Sequence, residues 1–225
     1  LCLYQYYINT ILTNDTANLD NLLLDASLDG FSNIDELPLS QQVSREDARS
    51  YEIWTNLRES GLNQEQINNI ILTNRGLRPN PSTYLDSRYI NSHLSQFDDG
   101  ISIIQTEYDY SRYSQVNGFV GRIEDNSLFV LPRSLCDEII SESNGDLSII
   151  ERELGFPAGH FSRGGGLVRI DVHDTSGLNL RMPSGNEAGA NELWTPGGFT
   201  SGGVPEAITD IIPLERTEQY RIAIE

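Results

Sequence analysis

Between Arg181 and Pro213 the chain reads RMPSGNEAGANELWTPGGFTSGGVPEAITDIIP, with no helical or strand periodicity until Val204. Six glycines stand in it, together with Pro183, Pro196 and Pro205, the carboxylates Glu187, Glu192 and Glu206, the amides Asn186 and Asn191, and Trp194. Backbone of this kind loses much conformational freedom on ordering and buries little surface in return. Long loops without secondary structure are either functional or disordered linkers. A linker gains nothing from an indole that needs a dry pocket, so Trp194 followed by Pro196 favours an ordered binding or catalytic loop, with a linker as the alternative.

A chain of 225 residues is long enough for one sizeable core plus an accessory segment. With 38% hydrophobic residues and a mean hydropathy of -0.36 it reads as globular. The 33 acidic residues outnumber the 15 basic ones for a net charge of -18. That balance argues against a nucleic-acid partner, because such affinity comes largely from neutralising phosphates. All 15 basic residues are arginine and none is lysine, where ordinary usage would give on the order of ten lysines. Compositional drift accounts for this as readily as selection against the amine that accepts ubiquitin and other acylations; the second reading fits a protein working inside a foreign eukaryotic cell. Cys2 and Cys136 lack metal-ligand spacing, and with only His93, His160 and His173 beside them no metal site is expected. No run of about 18 apolar residues is present, so no membrane span is expected. A chain that starts at Leu1 and holds Met182 as its only methionine is expected to come from a larger polypeptide, with any delivery region outside it.

The first twelve residues, LCLYQYYINTIL, fit a short helix or a strand equally. Ser44 and Asp47 in SRED form an N-cap pattern that opens a helix over 44–57, ended by Gly61. A second helix is expected over 63–74, with Ile67, Ile70, Ile71 and Leu72 inward, stopping at Gly76. The helix-turn-helix spacing of this pair does not read as DNA binding, because NQEQINNIILTN offers no cation to phosphates. Pro79 and Pro81 in RPNPST mark the expected boundary between a helical N-terminal segment, 1–80, and an α+β domain, 81–225. In the second part, strands are expected over 101–105, 119–122 and 128–131, the last two around the turn EDNS, followed by helices over 132–140 and 146–154. LVRIDV, 167–172, alternates as a strand with Leu167, Arg169 and Asp171 on one face. Short strands follow over 207–212 and 220–224. This order implies a small twisted sheet, mixed or antiparallel, with flanking helices.

Glu206 follows Gly202, Gly203 and Pro205 and precedes an apolar run, which places a carboxylate at the mouth of a strand. Glu187 lies on the same loop, and two carboxylates so placed can serve as general acid and base, against the plainer reading of solvated or turn-capping groups. His93, flanked by Ser92 and Ser95, is a further acid–base candidate, although a lone histidine is more often structural. Arg169 and Arg181 flank the strand and the glycine loop, where a planar guanidinium would hold a pyrophosphate or carboxylate or else pair with an acidic side chain. Neither Arg163–Gly166 nor PGGFTSGG matches a Walker loop, which ends in Gly-Lys-Ser/Thr, or a dinucleotide-binding fingerprint.

HLSQFDDG, the FVLP turn before a helix, the passage from ERELGFPAGHF to LVRIDV, and above all PSGNEAGANELWTPGG with GGVPEAITDIIP resemble the C-terminal toxin domain of bacterial polymorphic toxins of the Rhs and contact-dependent-inhibition type. The resemblance runs from His93 to the end. More distantly, the layout is similar to NAD-consuming toxins of the ADP-ribosyltransferase and tuberculosis-necrotising-toxin type, in which a glycine-rich loop grips NAD and a late Glu or Gln completes the site. That likeness implies NAD as substrate, with Glu206 stabilising the oxocarbenium formed when the nicotinamide bond breaks. It also implies Phe129 or Trp194 stacking on nicotinamide, Arg169 or Arg181 facing the pyrophosphate, and Asn191 among the residues that bind the dinucleotide. The Ser-Thr-Ser strand of the arginine-specific transferases is absent, and His93 is the nearest match to their first-strand Arg or His. The resemblance further implies a secreted effector that acts in a target-cell cytosol on a macromolecular target, with an immunity protein or host factor as partner. Two alternatives are a metal-independent RNase using His93 and Glu187, and a non-enzymatic domain that binds a host protein through its loop.

Overall fold

The structure, a computed structural model, describes residues 60–162 and 164–222. The expected elements over 1–12 and 44–57 therefore lie outside the described residues, as do Cys2 and Arg163. The described chain carries helix α1 (Gln64–Leu72), helix α2 (Ser87–Ser95), strand β1 (Ile101–Thr106), a helical segment α3 (107–117), strand β2 (Phe119–Val120), strand β3 (Leu128–Pro132), helices α4 (Arg133–Ser143) and α5 (Leu147–Glu153), and strands β4 (Leu167–Val172), β5 (Ala207–Thr209), β6 (Ile212–Pro213) and β7 (Glu218–Ile222). Five strands form one sheet in the order β5-β3-β1-β4-β7, and β2 pairs with β6 in a second. Among the described residues every pairing is antiparallel, so the fold is α+β with antiparallel sheets.

The longest register joins β1 to β4, from Ile101 opposite Val172 to Thr106 opposite Leu167. Both strands are covered on both faces, and β4 is buried at all six positions. Val168, Ile170 and Val172 pack with Ile101, Ile103, Phe97 and Val120 on one side. Leu167 and Ile104 pack with Cys136 and Ile139 of α4, Ile150 of α5 and Phe161 on the other. A strand enclosed in this way normally reads as continuous apolar sequence. The polar pair Arg169 and Asp171 is tolerated because it is internally satisfied: Arg169 Nε donates to Asp171 Oδ1 at 2.6 Å, Ser102 Oγ donates to the same oxygen at 2.6 Å, and Arg169 also bonds Asp137. The outer strand β7 is mostly exposed and carries Glu218, Gln219 and Arg221.

The helix expected over 63–74 is α1. Its N-terminus is closed by a capping box between Asn63 and Gln66, and Ile67 and Ile70 are buried. Leu72, expected inward, is exposed. Helix α2 escapes a search for apolar periodicity because its buried position is a histidine, His93. Segment α3 is built of Glu107–Asp109, a π turn at Tyr110–Ser114 and Gln115–Asn117. The hairpin expected around EDNS keeps an Arg122–Ser127 bridge. Its arms then part, β2 to β6 and β3 to β1 and β5. The strand expected over 207–212 is interrupted at Asp210 and Ile211, giving β5 and β6 to different sheets.

Residues 60–80 belong to the same compact unit as the sheet. Arg75 and Arg78, just before Pro79 and Pro81, hydrogen-bond the backbone of the glycine-rich loop. Among the described residues no helix is long and apolar enough to cross a membrane.

Ile170 is fully buried at the centre of β4, and Ile170→Ala should lower the unfolding free energy by about 2–5 kcal/mol. In urea denaturation the midpoint should fall while the slope stays constant.

Candidate functional site

A cleft of about 410 Å³ opens between the end of β1, segment α3, Phe129 of β3, residues 154–161 and the glycine-rich loop, and Glu206 lines it. Irregular backbone can form such a wall only if its polar groups find partners, and here they do. Asn186 accepts from the amides of Gly76 at 2.7 Å and Arg78 at 3.1 Å, and its own amide donates to Arg78 O at 2.9 Å. Arg75 donates to Ala190 O at 3.2 Å, and Arg78 donates to Gly185 O at 2.8 Å. The Arg78 guanidinium also lies 4.5 Å above the centre of the Trp194 ring, a cation–π contact. Gly185 has a φ of +76°, and a Cβ there would come within 2.6 Å of the indole, so glycine is required for the close approach. Asn191 donates to Gly155 O at 2.8 Å, and Thr200 Oγ1 donates to Glu153 O. The loop is therefore ordered by specific contacts.

The Glu206 backbone is held on both sides: its N–H donates to Gly198 O at 2.7 Å, and its carbonyl accepts from His93 Nε2 at 2.9 Å. Burial of the carboxyl group, assisted by the charge of Glu187, pushes its pKa up to about 8. The raised pKa lets the carboxyl keep its proton at pH values where an ordinary glutamate is ionised. Glu187 does not line the cleft. Its Oε1 accepts from the Ser184 amide at 3.0 Å and from Ser184 Oγ at 2.7 Å, as a turn-capping group does, while Oε2 is buried without a partner. Its contribution to the site is its charge.

His93 is likewise outside the cleft lining. It is 3% exposed, its pKa is lowered by burial against the bond to the Glu206 carbonyl, and its ring packs on Tyr89, Phe97 and Phe199. An enclosed, neutral imidazole with its Nε2 already engaged is placed to hold backbone and not to shuttle protons.

Of the ligand-contacting candidates, Phe129, Trp194 and Asn191 line the cleft. Arg169 and Arg181 do not. Arg169 is held by Asp171 and Asp137, and Arg181 donates to Asp210 at 3.0 Å and to Asn179 O at 2.8 Å. In both cases a nearby acid captures the guanidinium. The cleft instead presents Arg122, on a backbone fixed by the bridge to Ser127. Sequence reading missed Arg122. It also missed Phe156 and His160, whose rings stack at 4.3 Å on the opposite wall; the FPAGHF spacing, four residues apart, is the signal that was available.

Among the described residues no group of three or more His, Cys, Asp or Glu side chains is placed to hold a metal ion. Neither a protein-family model nor a curated protein matches this sequence.

Glu206 keeps its proton in the folded state up to about pH 8 but loses it near pH 4.3 when unfolded. Below both values the group contributes nothing to the pH dependence. Between them unfolding releases a proton, so stability falls as pH rises through the window, and it levels off above it. Wild type should therefore lose stability relative to Glu206→Gln between about pH 4.5 and 8, by on the order of 2–4 kcal/mol. Chemical denaturation of both proteins across that range measures the difference.

Proposed function

We propose that this chain is the NAD-cleaving domain of a toxin effector, delivered into a target cell, where it transfers ADP-ribose to a macromolecule or releases it to water. The observation that carries this reading is the Glu206 carboxyl, desolvated and pinned at the wall of an aromatic-lined cleft. Phe129 and the Phe156–His160 pair offer flat surface to a planar base, while Trp194, buried and covered by Arg78, lines the cleft beside them. Clefts of about 300–1,000 Å³ with a few convergent polar groups are typical small-ligand sites.

The nicotinamide of NAD is a cationic pyridinium, and a cation beside Glu206 opposes both causes of its raised pKa. Binding then expels the carboxyl proton and leaves an anion next to the ribose. When the bond from ribose C1 to the pyridinium nitrogen breaks, its electron pair goes to nicotinamide, which departs neutral. The positive charge moves to the ribose oxocarbenium, where the Glu206 carboxylate stabilises it until water or a target nucleophile adds. Arg122, at the mouth, is the guanidinium available to the pyrophosphate. The RNase reading draws less support, because its acid–base pair, His93 and Glu187, lies outside the cleft lining.

Purified protein should release nicotinamide from NAD, alone or with target-cell lysate. Glu206→Gln should reduce that rate by about 10²–10³-fold, and Arg122→Ala should raise KM more than it lowers kcat. Titration calorimetry at pH 7 in buffers of different ionisation enthalpy should show protons released as NAD binds. Absence of nicotinamide release under both conditions overturns the reading.

A further inference from the structure

Helix α2 contributes nothing to the lining of the cleft, yet two of its side chains reach the loop that ends at Glu206. Tyr89 and His93 are four residues apart and so lie on one helix face. The Tyr89 hydroxyl donates to Gly197 O at 2.7 Å, and His93 Nε2 donates to Glu206 O at 2.9 Å. Between these points the loop is tied to itself. Glu206 N donates to Gly198 O at 2.7 Å, and Thr200 N donates to Val204 O at 2.9 Å; a bridge joins Phe199 to Pro205. The two ends of the 197–206 turn are thus bound to each other and to one helix face. Gly198 lies flat against the imidazole, where a Cβ would come within 2.7 Å of Nε2.

The choice of histidine at this place is informative. A carbonyl oxygen only accepts, so Nε2 carries the hydrogen, and Nδ1 is the bare nitrogen of the neutral ring. That Nδ1 is buried with no partner. Leucine or phenylalanine would fill the hollow among Tyr89, Phe97 and Phe199 without burying an unpaired nitrogen. What the imidazole adds over them is the Nε2 hydrogen.

We infer that His93 is a positioning residue: together with Tyr89 it clamps the 197–206 turn onto α2 and thereby fixes where the Glu206 carboxyl sits in the cleft. The inference rests on Glu206 being the working group of that cleft, as proposed above, but the clamp is read without any activity. Protein carrying ¹³C-labelled glutamate carboxyls is titrated by NMR, with Glu206→Gln identifying the resonance. In wild type that resonance should titrate near 8. His93→Leu, which keeps the bulk and loses the hydrogen, should release the carboxyl toward water and lower the midpoint by at least about one unit toward the ordinary glutamate value. His93→Gln places an amide N–H near the Nε2 position and should restore the wild-type midpoint. A residue that only packs predicts the reverse ranking, with leucine tolerated and glutamine not.

Tyr89→Phe, which loses only the hydroxyl, should shift the midpoint in the same direction by less, and serves if His93→Leu does not fold. An unchanged Glu206 midpoint in folded His93→Leu overturns the inference, as does an unchanged midpoint in Tyr89→Phe where the leucine variant is unfolded. A midpoint that moves as expected in a protein that releases no nicotinamide upholds the clamp and removes the NAD reading. Nicotinamide release with an immobile midpoint does the opposite.

Discussion

A long stretch of irregular backbone against a folded core must satisfy its own amides and carbonyls, and in this protein that need shapes the site. The partners come from outside the loop: the Arg78 carbonyl and the Arg75 and Arg78 side chains on one flank, the Gly155 and Glu153 carbonyls on another, and α2 on a third. Each is a single hydrogen bond, worth on the order of 1 kcal/mol net. Together they convert a glycine-rich segment into a wall. The sheet supplies the complementary rigid surface, since β1 and β3 each present one edge of the cleft while packed from behind.

The electrostatic character of the site follows from that architecture. A carboxyl on a mobile loop would remain hydrated and titrate normally. Glu206 departs from ordinary behaviour because its carboxyl is buried and because Glu187, held by Ser184, places a charge nearby. Glu187 therefore acts on the cleft through the field and not by contact, an arrangement that residue spacing alone could not distinguish from a second catalytic carboxylate.

Much of the fold was legible in the sequence. The LVRIDV alternation, the helix expected over 63–74 and the short β1 and β3 runs correspond to observed elements because their patterns are local. The failures share a cause. Helix α2 buries His93 and segment α3 buries Ser114 rather than a continuous apolar stripe, so periodicity did not mark them. The strand over 207–212 reads as one run, yet its two halves join different sheets, a choice made by long-range pairing. At the site, Glu206, Trp194 and Asn191 stand out by their company on the loop and Phe129 enters through the resemblance, and all four line the cleft. The pairing of Arg169 with Asp171 follows from their shared strand face, but the capture of Arg169 by Asp137 and of Arg181 by Asp210 was not visible, because those partners are distant in sequence.

Arg78 shows what the lysine-free composition means mechanically. Its guanidinium donates to Thr73 O and Gly185 O while its flat face covers Trp194, three contacts that require a planar group with donors in its rim. An ammonium on a flexible stem could reproduce one of them. Introducing primary amines for labelling or cross-linking is therefore tolerable on the solvated Arg88 and Arg112 side chains but not at Arg78. There, conservation of charge without conservation of shape would uncouple the glycine-rich wall from the segment that supports it.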